Sequence, residues 1–475
     1  MISQKTACRI FGYAVMLASI LGSAWALAVQ AAAQKQPSSR AAMPAASDAA
    51  IRPPEMRIQR HSLTNGLQVL MLEDHSAPVL NLQVWYHVGS KDEKPGRTGF
   101  AHIFEHMMFK GSAHVGPDEH SRIVEAAGGF DNAYTNDDVT VYWQTFPSNC
   151  LERMIWLEAD RMGSLNVDEA NFKSEREVVK EERRVGVENS PYGRVGEDLA
   201  DAAFTLHPYK HTTIGSMEDL NKASLEDVRA FHSTYYRPDN ATMVLVGDFA
   251  PAQATAWIEK YFSGIAKPAI PIPRVTVQEP PQKAEQRFAK WYGSLSPLPA
   301  IVAGYHMPAQ FTPDSYPLIL ASNILSGGES SRLFRKLVYE DQMAVQAAGI
   351  GNFTEHPNLF YALALLNPGR SIAAGEKVLE AVLEQMKTQP VDPRELEKAK
   401  NQQIAADILG RLSVQERADA IGRAAVVGRD PNLANLSLES FLRVSAADIQ
   451  RVARQYFDRS QRTVLLIEPP KPAAK

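Results

Sequence analysis

The spacing of apolar residues changes period repeatedly along this chain, and each change predicts an element. Gly66–Glu73 and Val79–Val88 are strand-like runs separated by a turn at Asp74–Pro78. In the second run Leu80, Leu82, Val84 and Tyr86 alternate with Asn81, Gln83 and Trp85, the period of two expected of a β-strand. Two further strands are expected at Asp131–Tyr134 and Val139–Thr145. Between these runs, Phe100–Phe109 is apolar nearly all round (Ala101, Ile103, Phe104, Met107, Met108), which predicts a buried helix. Thr98 is a candidate cap for its start and Gly111 a candidate stop. Asn171–Arg184 is helical in pattern, with Phe172, Glu175, Val179 and Glu182 on one stripe. Strands mixed with helices in this order predict an α+β fold, helices packed on a mainly antiparallel sheet.

The pattern then repeats. Leu225–Tyr236 followed by Thr242–Asp248 is a helix and a strand, and Ala447–Phe457 followed by Thr463–Ile467 has the same order. Asp227 and Asp448, and Thr242 and Thr463, are offset by 221 positions, while Val84–His87 and Ala303–His306 are offset by 219. A repeat of this length predicts two similar domains, not a solenoid. We place them at 55–265 and 285–468, with a proline-rich linker at 266–284 and a short tail at 469–475. After trimming the ends about 410 residues remain, too many for one ordinary core.

The chemistry concentrates in His102-Ile103-Phe104-Glu105-His106. Histidines four apart on a helix project from one face at a spacing that two ligands of one zinc ion can use. Glu105 is placed to take a proton from a metal-bound water without ligating the metal. The order inverts the commoner H-E-x-x-H helix. The bland alternative is a pair of hydrogen-bonded core histidines beside a salt-bridged glutamate. A third ligand must come from elsewhere. Glu175 and Glu182 share the apolar stripe of the second helix, whereas Glu177 and Glu181 fall on another face and read as solvated charge. Spacing alone does not decide whether Glu182 is a ligand. The equivalent helix of the second half, Tyr316–Leu325, has no histidine or acid, so one zinc per chain is expected. Ser326–Arg332 is glycine-rich but lacks the Lys-Ser/Thr of a phosphate loop.

His102 and His106 followed by Glu182, with Gly89–Glu93 before the helix, Phe109–Gly111 after it and Gly128–Thr135 beyond, resemble the pitrilysin or insulinase family of zinc metallopeptidases. The resemblance covers about residues 55 to 468 and includes the mitochondrial-processing-peptidase-like branch. It implies two domains of one architecture, His102, His106 and Glu182 as zinc ligands, Glu105 as catalytic base and Glu175 as the glutamate supporting the ligands. It also implies that Asn132 and Ala133 contact substrate backbone, although Asn132 reads equally well as a turn residue. His211 sits in a family-like stretch but suits a packing or rim position. Active relatives carry an Arg and, seven residues on, a Tyr that help hold substrate. The matching positions here are Val338 and Val345. That departure points to a heterodimer whose homologous partner supplies the pair; a homodimer, an alignment slipped by one turn, or use of Tyr339 are the alternatives. The expected activity is hydrolysis of peptides or unfolded segments, the alternative a non-catalytic binding or assembly subunit.

Net charge of −4 with 22 % charged residues describes an ordinary soluble surface and argues against a nucleic-acid partner. The N-terminus has Lys5 and Arg9, no charge from Ile10 to Gln34, and small-residue steps such as Ala24-Trp25-Ala26. This is the pattern of a secretory signal at 1–33 followed by an Ala/Pro/Ser-rich tether at 34–54, and the expected location is the periplasm or exterior of a bacterium. A retained membrane anchor is the alternative. Of the two cysteines, Cys8 belongs to the leader and Cys150 reads as a free thiol without a role in catalysis.

Overall fold

A computed structural model of the chain describes residues 53–468. The leader, nearly all of the tether, Cys8 and the tail lie outside the described residues.

The first half builds a six-stranded sheet from β1 (Gln59–Ser62), β2 (Gln68–Glu73), β3 (Val79–Tyr86), β4 (Phe130–Thr135), β5 (Thr140–Pro147) and β6 (Ala241–Gly247), in the order β1-β2-β6-β3-β5-β4. Every neighbouring pair is antiparallel except β2 and β6. The second half builds β7 (Gln286–Lys290), β8 (Ala300–Met307), β9 (Ala344–Gly351), β10 (Asn358–Leu366) and β11 (Arg462–Ile467), in the order β7-β11-β8-β10-β9. Its one parallel pair is β7 and β11. Reading β2, β6, β3, β5, β4 as β7, β11, β8, β10, β9 reproduces order and direction, so the repeat seen in sequence extends to topology, with β1 as an addition.

The helices are α1 (Phe100–Met107), α2 (Glu119–Ala126), α3 (Leu151–Ser164), α4 (Glu169–Arg183), α5 (Val195–Ala203), α6 (Met217–Lys222), α7 (Leu225–Tyr235) and α8 (Pro251–Phe262) in the first half. The second half has α9 (Ser315–Ser326), α10 (Ile372–Thr388), α11 (Pro393–Leu409), α12 (Val414–Val426), α13 (Leu433–Arg443) and α14 (Ala446–Tyr456). The repeat reaches their ends: α7 starts in a capping box of Ser224 and Asp227, α14 in one of Ser445 and Asp448.

Each sheet carries helices of its own half on one face. Leu80, Leu82, Val84 and Tyr86 of β3 join Phe100, Ile103, Phe104 and Met107 of α1 in the first core. The other face is not left to water. Asn81, Gln83 and Trp85 are as fully buried as their apolar neighbours. Their cover is α12, lent by the second half, whose Ala418, Ile421 and Ala424 pack with Trp85, Leu70, Val141 and Val244. The loan is returned: Val195 and Leu199 of α5 pack on Ala300, Val302, Leu363 and Leu465 of the second sheet. Polar alternation in β3 therefore marks a junction between halves. Gln83 Nε2 donates to Gln415 O at 3.3 Å and Asp419 Oδ1 at 3.1 Å, and Trp85 Nε1 donates to Gln83 Oε1 at 2.7 Å. These bonds matter because an unpaired buried amide costs about 1–3 kcal/mol.

The approach of α12 to the sheet depends on Gly422. A Cβ there would lie 2.2 Å from Cε2 of the fully buried Trp85 ring. We predict that Gly422→Leu lowers stability by about 2 kcal/mol or more despite removing a helical glycine; unchanged denaturant midpoint and slope would show that the halves do not meet here.

Candidate metal centre

Helix α1 puts Phe100, Ala101, Ile103, Phe104 and Met107 into the core and leaves His102, Glu105 and His106 half-buried on its remaining face. Tyr142 Oη, from β5, donates to Phe104 O at 2.9 Å and ties the helix to the sheet. The expected caps differ. Gly99, at φ 92°, precedes the helix, a left-handed conformation that turns Thr98 away, and Thr98 Oγ1 instead donates to Asp219 Oδ2 at 2.6 Å. The first amides of the helix are served by Glu93, which accepts from Gly99 N at 2.9 Å and Ala101 N at 2.8 Å. Burial drives the Glu93 carboxyl well above the usual carboxylate range, against the pull of these amides. The helix ends at Met107, one turn short of Gly111.

Helix α4 begins at a true cap, Asp168 Oδ1 accepting from Asn171 N at 2.8 Å. Asn171 Nδ2 donates to Lys110 O at 3.1 Å, fastening α4 to the segment that follows α1. Phe172 and Val179 are buried, so the stripe they share with Glu175 and Glu182 faces α1. Glu177 pairs with Lys180 and Glu181 with Arg184 on the exposed side.

The result is a triangle of potential ligand atoms. His102 Nε2 and His106 Nε2 are 3.4 Å apart, and Glu182 Oε2 lies 3.5 Å from the first and 3.4 Å from the second. Tetrahedral ligands at about 2.0–2.1 Å from a common ion are separated by about 3.3–3.4 Å, so the three atoms already sit near the edges of a zinc-sized tetrahedron. Two imidazole nitrogens and a carboxylate oxygen also suit zinc chemically. Among the described residues this is the one set of three such side chains with ligand atoms within 4.8 Å of one another.

Glu175 stands behind the triangle: Oε2 is 3.5 Å from His106 Nδ1, and Oε1 is 3.2 Å from Lys110 Nζ. Burial lowers the His106 imidazole, but hydrogen bonding to Glu175 and Glu182 outweighs it and lifts the group to about 10. His102 is pushed down, by burial and by neighbouring His106. Its buried Nδ1 has no hydrogen-bond partner among the described residues, so Glu175 orients only the second ring. Burial raises Glu175 and Glu182, yet both stay below the usual carboxylate range because His106 faces them. Glu105 makes no hydrogen bond or ion pair among the described residues and is half-buried on the helix that carries both histidines.

The other candidates stand apart from the triangle. Asn132 and Ala133 lie inside β4, the outermost strand of the first sheet, so Asn132 is a strand residue and not a turn residue. Ala133 is turned into the core and Asn132 Oδ1 accepts from Ala133 N at 2.9 Å. His211 Nδ1 is 3.7 Å from Glu93 Oε2, beside the start of α1. Val338 packs on the second core, whereas Val345 is 45 % and Tyr339 77 % exposed. Two supporting residues, Lys110 and Glu93, were visible only as matching text; neither has a periodic relation to the histidines that could have revealed its role.

The insulinase (Peptidase family M16) family model matches residues 68–217, and the Peptidase M16 inactive domain model matches 222–403. The zinc protease PqqE of Helicobacter pylori is 33 % identical over 412 residues, covering 86 % of this chain and 92 % of that protein. The mitochondrial-processing peptidase subunit beta of Lentinula edodes is 24 % identical over 405 residues, covering 83 % and 86 %. Among solved structures, a protease from Helicobacter pylori superposes with a TM-score of 0.84 at 32 % identity, over 88 % of this chain and all of that one. With its two similar α+β domains, its inverted histidine pair and these relatives, the chain belongs to the insulinase family of peptidases, M16.

Proposed function

We propose that this protein is a zinc-dependent endopeptidase acting on peptides or unfolded segments. The observation that carries the proposal is the convergence of His102 Nε2, His106 Nε2 and Glu182 Oε2 at tetrahedral-edge separations. Zinc bound there supplies a Lewis acid that polarises the scissile carbonyl and acidifies water. Glu105, on the same helix, takes the water proton and hands it to the leaving amine. Glu175 holds the His106 ring by Nδ1 and leaves Nε2 for the metal. β4 pairs only with β5, so its free edge, with Asn132 and Ala133, offers backbone groups to an extended peptide.

Val338 and Val345 occupy the positions of the family's Arg/Tyr pair and can donate nothing to substrate or oxyanion. A homologous partner that supplies the pair, in a heterodimer, completes the site, and similarity to a protein named as a processing-peptidase subunit supports this. The division into domains at 55–265 and 285–468 belongs to the same proposal; residues 274–283 of the linker run without regular structure, and Glu279 there accepts amides of Thr205, Leu206 and His207. The N-terminal pattern supports export to the periplasm, with the signal removed or retained as an anchor.

Three results test the reading. Glu105→Gln should keep zinc yet lower kcat by about 10²–10⁴-fold, and native turnover in that variant would remove its role as base. Zinc binding near pH 8 should release at least about one proton per ion, because His106 carries one until about pH 10 and binds metal only when neutral. Calorimetry in buffers of different ionisation heat measures this; zero release contradicts a protonated His106 in the metal-free site. The same raised group stabilises the metal-free fold fully below 6.5 and loses that contribution as pH rises through about 10. Finally, the purified chain should cleave peptides at least about 10²-fold more slowly than its native complex; full activity of a homogeneous monomer or homodimer would exclude the heterodimer.

A further inference from the structure

We propose that the zinc-free half positions the metal helix, through a relay that runs from Glu355 to Lys91 to Glu93. The inference rests on the metal-site reading above.

Helix α1 has no capping side chain at its own N-cap, because that position is Gly99. Its first turn is held from outside, by the two oxygens of Glu93 on the amides of Gly99 and Ala101, the latter next to His102. Glu93 has no exposed side-chain surface and no freedom to follow a shifted helix. It is the residue immediately after a 3₁₀ turn at Ser90–Asp92. That turn is clamped by the other half. Lys91 Nζ, buried, lies 3.1 Å from Glu355 Oε2 and 3.2 Å from Asp138 Oδ1, and donates to Asp138 O at 3.0 Å. Glu355 sits in the loop between β9 and β10 and is itself gripped: His87 Nε2 is 2.6 Å from Oε2, and Arg429 Nη2 donates to Oε1 at 2.5 Å. Its own amide donates to Asp138 Oδ2 at 2.8 Å. Tyr235 Oη, from α7, donates to Asp92 O at 3.2 Å and closes the turn from the remaining side.

Only one residue, Asp92, separates Lys91 from Glu93, and both ends are buried and bonded, so the turn transmits position as a rigid strut. A buried ion pair that only joined the halves would affect stability alone. A strut makes a further demand: the spacing of His102, His106 and Glu182 changes when Glu355 is removed, and the loss passes through Glu93. Glu93, Lys91 and Glu355 are positioning residues; none touches the ligand atoms.

The experiment is zinc affinity by chelator competition on the full-length chain, with folding checked by circular dichroism. Glu93→Gln leaves one acceptor for two amides and should weaken zinc by about tenfold. Glu355→Gln should weaken it by about threefold or more. Because both act on one path, the double variant should bind no more weakly than Glu93→Gln alone. Glu376→Gln, which breaks the remote pair with Arg287, should leave zinc affinity unchanged. Native affinity in Glu355→Gln, multiplied losses in the double variant, or an equal loss in Glu376→Gln overturns the relay. Should Glu93→Gln fail to fold, Glu355→Gln against Glu376→Gln still decides. A native chain that binds no zinc overturns the site reading and the relay together; a native chain that binds zinc with an unaffected Glu355→Gln overturns the relay alone.

Discussion

Two imidazoles and a carboxylate held about 3.4 Å apart in a half-buried place need positive charge among them. Around the triangle of His102, His106 and Glu182 stand Glu105 and Glu175, and among the described residues Lys110 pairs with Glu175, its ammonium also serving Asp118. Without a metal, a proton on His106 supplies the charge, which is why that imidazole is held far above its ordinary value. A divalent ion would replace the proton and satisfy all three ligand atoms at once. The contact between α1 and α4 thus depends on a cation of some kind, and the rest of the first domain is arranged to keep those two helices in place: Tyr142 on the helix backbone, Asn171 on Lys110 O, Glu93 at the N-terminus.

The second domain keeps the architecture without the chemistry. Helix α9 occupies the place of α1 and contains Ser315, Tyr316, Ser322, Asn323 and Ser326 as its polar residues, none of them a strong metal ligand. Its sheet nevertheless repeats the first strand for strand. The exchange of helices explains why it is retained. Trp85, Val141 and Val244 lie on a face that α12 packs against, and Val302 and Leu465 on one that α5 packs against. Burying one such side chain fully stabilises the fold by about 1.5–3 kcal/mol, so separating the halves would forfeit several such contributions on each side. The domain that carries the histidine pair needs the other domain as its second layer.

This exchange also explains what could be read in the sequence and what could not. The inverted histidine pair, the acidic stripe of α4 and the two-period strands are local patterns, and Val79–Tyr86, Phe100–Met107 and Glu169–Arg183 form where those patterns fall. Asn81 and Gln83 show the limit. Alternation identifies a strand, but whether its polar face meets water or another domain depends on a helix more than 330 residues away. Thr98 failed as a cap for a similar reason: local rules favour a threonine before an apolar helix, yet a left-handed Gly99 let a buried glutamate six residues upstream take that role. Lys110 and Glu93 act through tertiary contact, which no spacing rule encodes.

The valines at 338 and 345 carry the last step. Removing one preorganised oxyanion donor from a hydrolytic site typically costs about 10²–10³-fold in rate. Val338 is packed on the second core and Val345 faces outward on β9, the open edge of the second sheet, so neither can be exchanged for a donor by a rotamer change. Tyr339 has a hydroxyl, but it belongs to the π-helical turn Phe334–Glu340 and is 77 % exposed. Read as the proposed peptidase, the described chain holds a ligand set and a base beside an incomplete cradle for the transition state. On the proposed reading the missing donors come from a second polypeptide, and assembly, more than metal loading, becomes the step on which hydrolysis turns.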